Sequence, residues 1–120
     1  MIHWTTGTGV PRYLEQHART VVKRLQKVSP LLHDLRIFLI GAYSYPSGHD
    51  FVCGEFSVPS PGEPTPAIYA CVFSAGERIA HGTDTICHEW GHYEQSRDRK
   101  PIDEGPDIEA RTTRLMEAVR

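Results

Sequence analysis

The apolar positions early in the chain recur with a helical spacing. After Pro11, which suits the first turn of a helix, apolar residues recur at alternating steps of four and three. They are Leu14, Ala18, Val21, Leu25 and Val28. This stripe predicts an N-terminal helix that ends at about Val28, before Ser29 and Pro30. The opposite face is basic and is expected to face solvent.

Three short apolar segments after this helix predict β-strands. Residues 35–40, 51–58 and 67–73 are rich in branched and aromatic side chains, and turn-forming residues separate them. The loop between the second and third segments carries Pro59, Pro61, Pro64 and Pro66, which exclude a helix or a central strand there. The pattern therefore predicts a small three-stranded sheet.

Two more helices are predicted in the last third of the chain. One begins at Gly82-Thr83-Asp84, with Thr83 as its cap, and runs to about Gln95. Residues 96–105 are charged and contain a proline, which indicates a loop. Pro106 then opens a final helix. The order helix, three strands, helix, helix predicts an α+β fold, and 120 residues fit a single domain over positions 1–120.

Composition and charge exclude several classes of function. The formal net charge of −2 provides no basic field, so we expect no nucleic-acid partner. No apolar run approaches the roughly 18 residues of a membrane span, and the N-terminus lacks the features of a signal peptide. The three cysteines have no C-x-x-C spacing and are expected to be free thiols. We therefore expect a cytoplasmic protein, most simply a monomer.

One motif carries recognisable chemistry. His88-Glu89-Trp90-Gly91-His92 matches H-E-x-x-H and falls on a predicted helix. Histidines four apart lie on one helical face, where both imidazoles can reach one zinc ion at about 2.0–2.1 Å. Glu89 is then placed to act as general base on a metal-activated water. Gly91 lies within the helix, where glycine costs about 1 kcal/mol relative to alanine, and this predicts a close neighbour.

A catalytic zinc site usually takes three protein ligands, and the third must follow the motif. Asp98 stands where the pattern H-E-x-x-H-x-x-G-x-x-H places its last ligand, but Gln95 replaces the glycine of that pattern. Glu109 is preferred, because it lies at the edge of the predicted apolar face of the final helix. Three other acids stay open as alternatives: Asp103, Glu104 and Asp107.

With these residues the chain resembles the gluzincin group of zinc metallopeptidases, which carry H-E-x-x-H on one helix and a glutamate on the next. It is most similar to the minimal forms: minigluzincins, SprT-like proteins and ImmA-type peptidases. The resemblance implies a minimal zincin-like domain with Glu109 as ligand on the C-terminal helix. It also implies that residues 67–73 form the edge strand beside the cleft, pairing with an extended peptide or protein substrate. Two departures are Thr113, where gluzincins often have aspartate, and the lack of a clear oxyanion donor.

The expected activity is zinc-dependent peptide hydrolysis through Glu89, His88, His92 and Glu109. Candidates for the oxyanion donor are Tyr43, Tyr45, Tyr93 and His81. The alternative is a zincin-fold regulatory or binding module with little or no proteolysis. A structural domain with a fortuitous motif is the third possibility. The residues that would bind substrate are not identified by the sequence.

Overall fold

The computed structural model describes residues 1–120 and contains three helices and several strands in a mixed α+β arrangement. Helix α1 (Arg12–Val28) follows Pro11 and ends where the Ser29 N–H donates to Leu25 O at 2.8 Å. Four residues of the predicted stripe, Leu14, Ala18, Val21 and Leu25, are buried. The fifth, Val28, is 50% exposed at the end of the helix, and Val22, which the stripe did not include, is buried. Amphipathic spacing was thus sufficient to locate this helix.

The main sheet has four strands, so the predicted three-stranded sheet is wrong. Strands β1 (Ile2–Thr6), β2 (Leu35–Ile40) and β6 (Ala67–Cys71) are parallel, and β5 (Gly54–Ser57) pairs antiparallel with β6. The order across the sheet is β1-β2-β6-β5. Strand β1 was not predicted, because only two of its five side chains are even partly buried and its pairing with β2 is long-range.

Two predicted strands are each divided in two. Within the second predicted segment, β4 (Asp50–Val52) pairs with β3 (Tyr45–Ser47), and β5 then joins the main sheet. Within the third, β6 ends at Cys71 and β7 (Phe73–Ala75) forms a hairpin with β8 (Arg78–Ala80). The β3–β4 hairpin is held to β5 because Tyr45 and Ser47 both donate hydrogen bonds to the Glu55 carboxylate, at 2.8 and 2.6 Å.

The strand at the open edge next to the H-E-x-x-H motif is β5. The expectation that residues 67–73 form this edge is wrong, because β6 lies between β2 and β5 and both of its sides are paired. The fully apolar composition of β6 agrees with this interior position, since central parallel strands are buried on both faces. The free hydrogen-bonding edge on this side of the sheet therefore belongs to the four residues of β5.

Helices α2 (Thr83–Arg97) and α3 (Pro106–Ala118) confirm the two predicted C-terminal helices, and α2 extends two residues beyond the predicted end. Gly82 rather than Thr83 is the cap residue of α2, with a φ of 80° that favours glycine. The Thr83 hydroxyl is hydrogen-bonded instead to His17 Nε2 at 2.8 Å.

All three helices contribute to one core against the sheet, in which Leu35, Ile37 and Leu39 of β2 are fully buried. Trp90 and Tyr93 of α2 are buried in this core, and the Trp90 indole N–H donates to the Ser29 hydroxyl at 2.9 Å. Trp90 is thus a core anchor. No helix is long and apolar enough to cross a membrane.

Candidate metal centre

The H-E-x-x-H residues form the one group in the structure whose ligand atoms converge as a metal site requires. The ligand atoms of His88, Glu89 and His92 all lie within 4.8 Å of one another. The two imidazole rings are edge-to-face, with their centroids 4.8 Å apart. Because the histidines are one helical turn apart, α2 alone is sufficient to bring them together. The predicted His–Glu–His cluster is therefore present.

A fourth side chain reaches this cluster from the loop between α2 and α3. Glu104 Oε1 lies 3.0 Å from His92 Nε2 and 3.3 Å from His88 Nε2. The same carboxylate oxygen thus contacts both nitrogens that the helix presents. Burial acts to raise the pKa of Glu104, but the hydrogen bonds with His92 and His88 outweigh it and lower that pKa below its usual range. Glu104 is therefore a carboxylate anion in front of two imidazoles.

The structure does not bring Glu109 to the cluster. Its side chain is exposed on the first turn of α3 and makes no hydrogen bond. The face of α3 that meets α2 carries Ile108, Arg111 and Thr112, whose atoms surround Gly91. Glu109 follows Ile108 by about 100° of helical rotation, which directs it away from that contact.

Asp103 is exposed and lines the same small cavity as Glu104, whereas the other two acidic alternatives have partners of their own. Asp98 pairs with Arg97 at 2.9 Å and with Arg111 at 3.1 Å, and Asp107 accepts hydrogen bonds from Gln95 and Arg111. Glu104 was among the alternatives left open by the sequence, but its loop position gives no periodic signal that would have ranked it first. Its role depends on how the eight residues between α2 and α3 fold back over the motif.

Glu89 lies between the two histidines of the cluster and the edge strand. It is 6% exposed, and its Oε2 lies so close to β5 that a Cβ atom added at Gly54 would be 3.3 Å from it. Burial raises the pKa of Glu89 to about 7; His92 opposes this rise, whereas the charges of Glu104 and Glu55 add to it. A carboxylate with such a pKa can both accept and release a proton near neutral pH.

The imidazole nitrogens that face away from the cluster also have partners. His92 Nδ1 is 2.8 Å from Gln95 Oε1, and His88 Nδ1 is 3.5 Å from the Thr112 hydroxyl. The Thr112 hydroxyl donates to Ile108 O at 2.8 Å, so it can only accept from His88. Both rings are therefore oriented with Nε2 towards Glu104.

Two cavities open on either side of Glu104 along β5. One of about 500 Å³ is lined by Phe51, Val52 and Thr112, and the other, of about 280 Å³, by Phe56 and Ile102. Both are also lined by the same three residues, Gly54, Glu89 and Glu104. Together they form a groove that passes the cluster and follows the free edge of β5.

None of the four predicted oxyanion donors lines this groove. The Tyr93 hydroxyl accepts from the Leu32 N–H in the core, and Tyr45 donates to Glu55. Tyr43 and His81 line a third cavity, of about 620 Å³.

The cluster combines two imidazoles, two carboxylates and an adjoining groove, which is an arrangement suited to binding a cation and transferring protons. Comparisons of the chain with models of protein families, with curated proteins and with solved structures found no match.

Proposed function

We propose that this protein is a zinc-dependent peptidase with a minimal gluzincin-like architecture. In this proposal His88, His92 and Glu104 hold the metal and Glu89 is the general base. The observation that carries it is the His88–Glu89–His92 cluster, together with Glu104 Oε1, which lies within 3.3 Å of both Nε2 atoms.

The two distances from Glu104 Oε1 to the imidazole nitrogens are close to those expected between ligands of one tetrahedral zinc ion. Ligand atoms bound at about 2.0–2.1 Å in tetrahedral geometry lie about 3.3–3.4 Å from one another. Glu104 Oε1 is 3.0 Å from one imidazole nitrogen and 3.3 Å from the other. A set of two imidazoles and one carboxylate suits zinc and leaves a fourth position open, as in catalytic rather than structural sites. When bound there, zinc polarises a substrate carbonyl and makes a water molecule acidic near neutral pH.

Glu89 carries the proton transfers. Its carboxylate accepts a proton as water attacks the carbonyl carbon, and later delivers that proton to the nitrogen of the leaving amine. Burial raises the pKa of Glu89 to about 7 in the metal-free protein, which shows that the surroundings of this carboxylate favour its taking up a proton. Gly54 supports this role, since the lack of a side chain lets strand β5 approach the Glu89 carboxylate.

The substrate is proposed to be an extended peptide segment added to the free edge of β5. Such a segment gains main-chain hydrogen bonds from the strand while its side chains occupy the groove. Phe51 is 76% exposed and lines the larger cavity of this groove, and Ile102 is 41% exposed and lines the smaller one. A peptide with apolar residues on both sides of the cleaved bond would cover these side chains.

The groove is lined by no tyrosine and by no histidine other than His88 and His92, and this favours one competing function, a regulatory module that binds metal and peptide without hydrolysis. To separate the two, zinc-loaded protein is incubated with a mixed peptide library, and new termini are detected by mass spectrometry. The matched control is Glu89→Gln, which removes the proton acceptor at nearly constant volume.

Hydrolysis by the parent protein, lost in Glu89→Gln while zinc stays bound, supports the proposal. Equal hydrolysis by both proteins would eliminate Glu89 as the base. Stoichiometric zinc without any cleavage by the parent protein would favour the regulatory module. An inability to bind zinc at all would reject both.

A further inference from the structure

Gln95 is a fully buried polar side chain that lies between a metal-site histidine and α3. It is 0% exposed, its Oε1 is 2.8 Å from His92 Nδ1, and its Nε2 is 2.9 Å from Asp107 Oδ2. Gln95 follows His92 by three positions, so α2 itself places the amide beside the ring. No other side chain on α2 makes a hydrogen bond to His92.

The hydrogen bonds through Gln95 can run in only one direction. The ionised Asp107 carboxylate is an acceptor only, so Gln95 must direct its NH₂ group towards it. The amide oxygen then faces His92, and His92 Nδ1 must donate. Because a neutral imidazole carries one proton, a neutral His92 with Nδ1–H has its lone pair on Nε2, the nitrogen that lies 3.0 Å from Glu104 Oε1; this lone pair is available to a cation placed between the two groups.

We infer that Gln95 is a positioning residue that holds His92 in its Nδ1–H form, with Asp107 fixing the direction of the amide. This inference rests on the proposed function, since the free Nε2 lone pair is the one that would bind zinc. A ligand histidine usually donates its other N–H to a carboxylate or carbonyl. Here the Gln95 amide oxygen accepts that hydrogen bond, and the Asp107 carboxylate on α3 fixes the direction in which the amide points.

Asp107 is itself held in its anionic form. Gln95 Nε2 and Arg111 Nε both donate to its Oδ2, each at 2.9 Å. These two hydrogen bonds lower the pKa of Asp107. A continuous series of hydrogen bonds thus runs from Arg111 through Asp107 and Gln95 to His92, and it couples the first turns of α3 to the metal site.

Three variants separate a positioning role from simple packing. Gln95→Met keeps the approximate volume and removes the acceptor for His92 Nδ1–H. Gln95→Glu keeps an acceptor but places a second carboxylate beside Asp107, at a buried position. Asp107→Ala removes the anion that orients the amide, at a side chain that is 55% exposed, and therefore leaves the core unchanged. Glu117→Ala, at an exposed acid on the same helix, is the matched control for charge.

The first measurement uses metal-free protein carrying Glu104→Ala, which removes the acceptor that faces His92 Nε2; for this measurement that protein is the parent of all variants, and the pH is one where the ¹⁵N shifts show neutral rings. The parent protein and Gln95→Glu are expected to show His92 mainly in the Nδ1–H form, whereas Gln95→Met and Asp107→Ala gain the Nε2–H form. His88, which contacts Thr112 instead, should not change in any variant and is the internal reference. This readout requires neither zinc nor activity, so it decides the inference even if the proposed function fails.

The second measurement compares zinc affinity, by competition with a chelator, with resistance to urea. Affinity should fall about 10- to 100-fold in Gln95→Met and less in Gln95→Glu. Stability should show the opposite order, because a buried carboxylate beside Asp107 destabilises more than a methionine. An unchanged His92 tautomer in both Gln95→Met and Asp107→Ala would overturn the inference. The inference would also be overturned if the variant that loses more zinc affinity were the one that loses more stability. Gln95 would then contribute to packing alone.

Discussion

Gly91 of α2 lies directly under Ile108 of α3, so closely that a Cβ atom at position 91 would be 2.6 Å from Ile108 Cδ1. The mid-helix glycine predicted such a neighbour, and the structure confirms it. The close approach of the two helices has a functional consequence, because the loop that joins them carries Glu104. Any increase in their separation moves Glu104 relative to His88 and His92.

Gly91→Ala should destabilise the protein even though alanine is the better helix former. The gain in helix propensity is about 1 kcal/mol, whereas overpacking a buried contact costs about 1–3 kcal/mol. Ile108→Val removes the atom in conflict at a cost of about 1 kcal/mol. The double variant should therefore be more stable than the sum of the single effects indicates, by about 1 kcal/mol in urea unfolding. Additive effects would show that the two residues do not compete for the same space.

Glu104→Ala should weaken zinc binding by roughly 100-fold or more, because it removes one of three ligands from the proposed site. Glu109→Ala is the matched control, since it removes an exposed carboxylate five positions away. Both affinities are measured by chelator competition. The opposite result would be a loss of zinc affinity in Glu109→Ala with unchanged affinity in Glu104→Ala. It would identify Glu109 as the third ligand, as the family resemblance implied, and would show that the loop changes its conformation when metal binds.

Glu94→Ala should be strongly destabilising, because Glu94 is a buried anion that joins all three helices. It is 1% exposed, accepts a hydrogen bond from Ser29, and pairs with Arg111 and Arg114 of α3. Breaking such a buried pair typically costs about 3–5 kcal/mol, and we expect the lower end because Arg114 can turn to solvent.

Urea unfolding measures this loss, and Glu117→Ala, which removes an exposed acid from α3, should change stability by less than about 0.5 kcal/mol. A small effect of Glu94→Ala would mean that the helices are held by apolar packing alone.

The three thiols should react with a disulfide reagent at very different rates. Cys53 is exposed, whereas burial raises the pKa of Cys71 to about 11 and that of Cys87 to about 12. Thiolate is the reactive form, so only Cys53 should react quickly in the native protein at pH 8. The other two should react only after unfolding. Counting released chromophore before and after adding urea tests this, and Cys53→Ser should abolish the fast phase.

The sequence alone was sufficient for features that depend on neighbours along the chain. The stripe on α1, the helical H-E-x-x-H residues and the start of α3 at Pro106 all follow from the 3.6-residue repeat and local capping. Two histidines four apart share a helical face in any protein, so His88, Glu89 and His92 could be placed together before any fold was known.

The tertiary structure decided everything that depends on residues distant in sequence. Strand β1 has a weak pattern of its own and is stabilised by pairing with β2, 33 positions later. The edge of the sheet is β5 rather than β6, because strand order follows long-range pairing that periodicity does not encode. Glu104 meets the two histidines, and Gln95 connects His92 to Asp107, only because α3 packs on Gly91 and folds the intervening loop over the motif. A loop side chain obeys no helical or strand repeat, so its position is set by the packing of the elements that flank it.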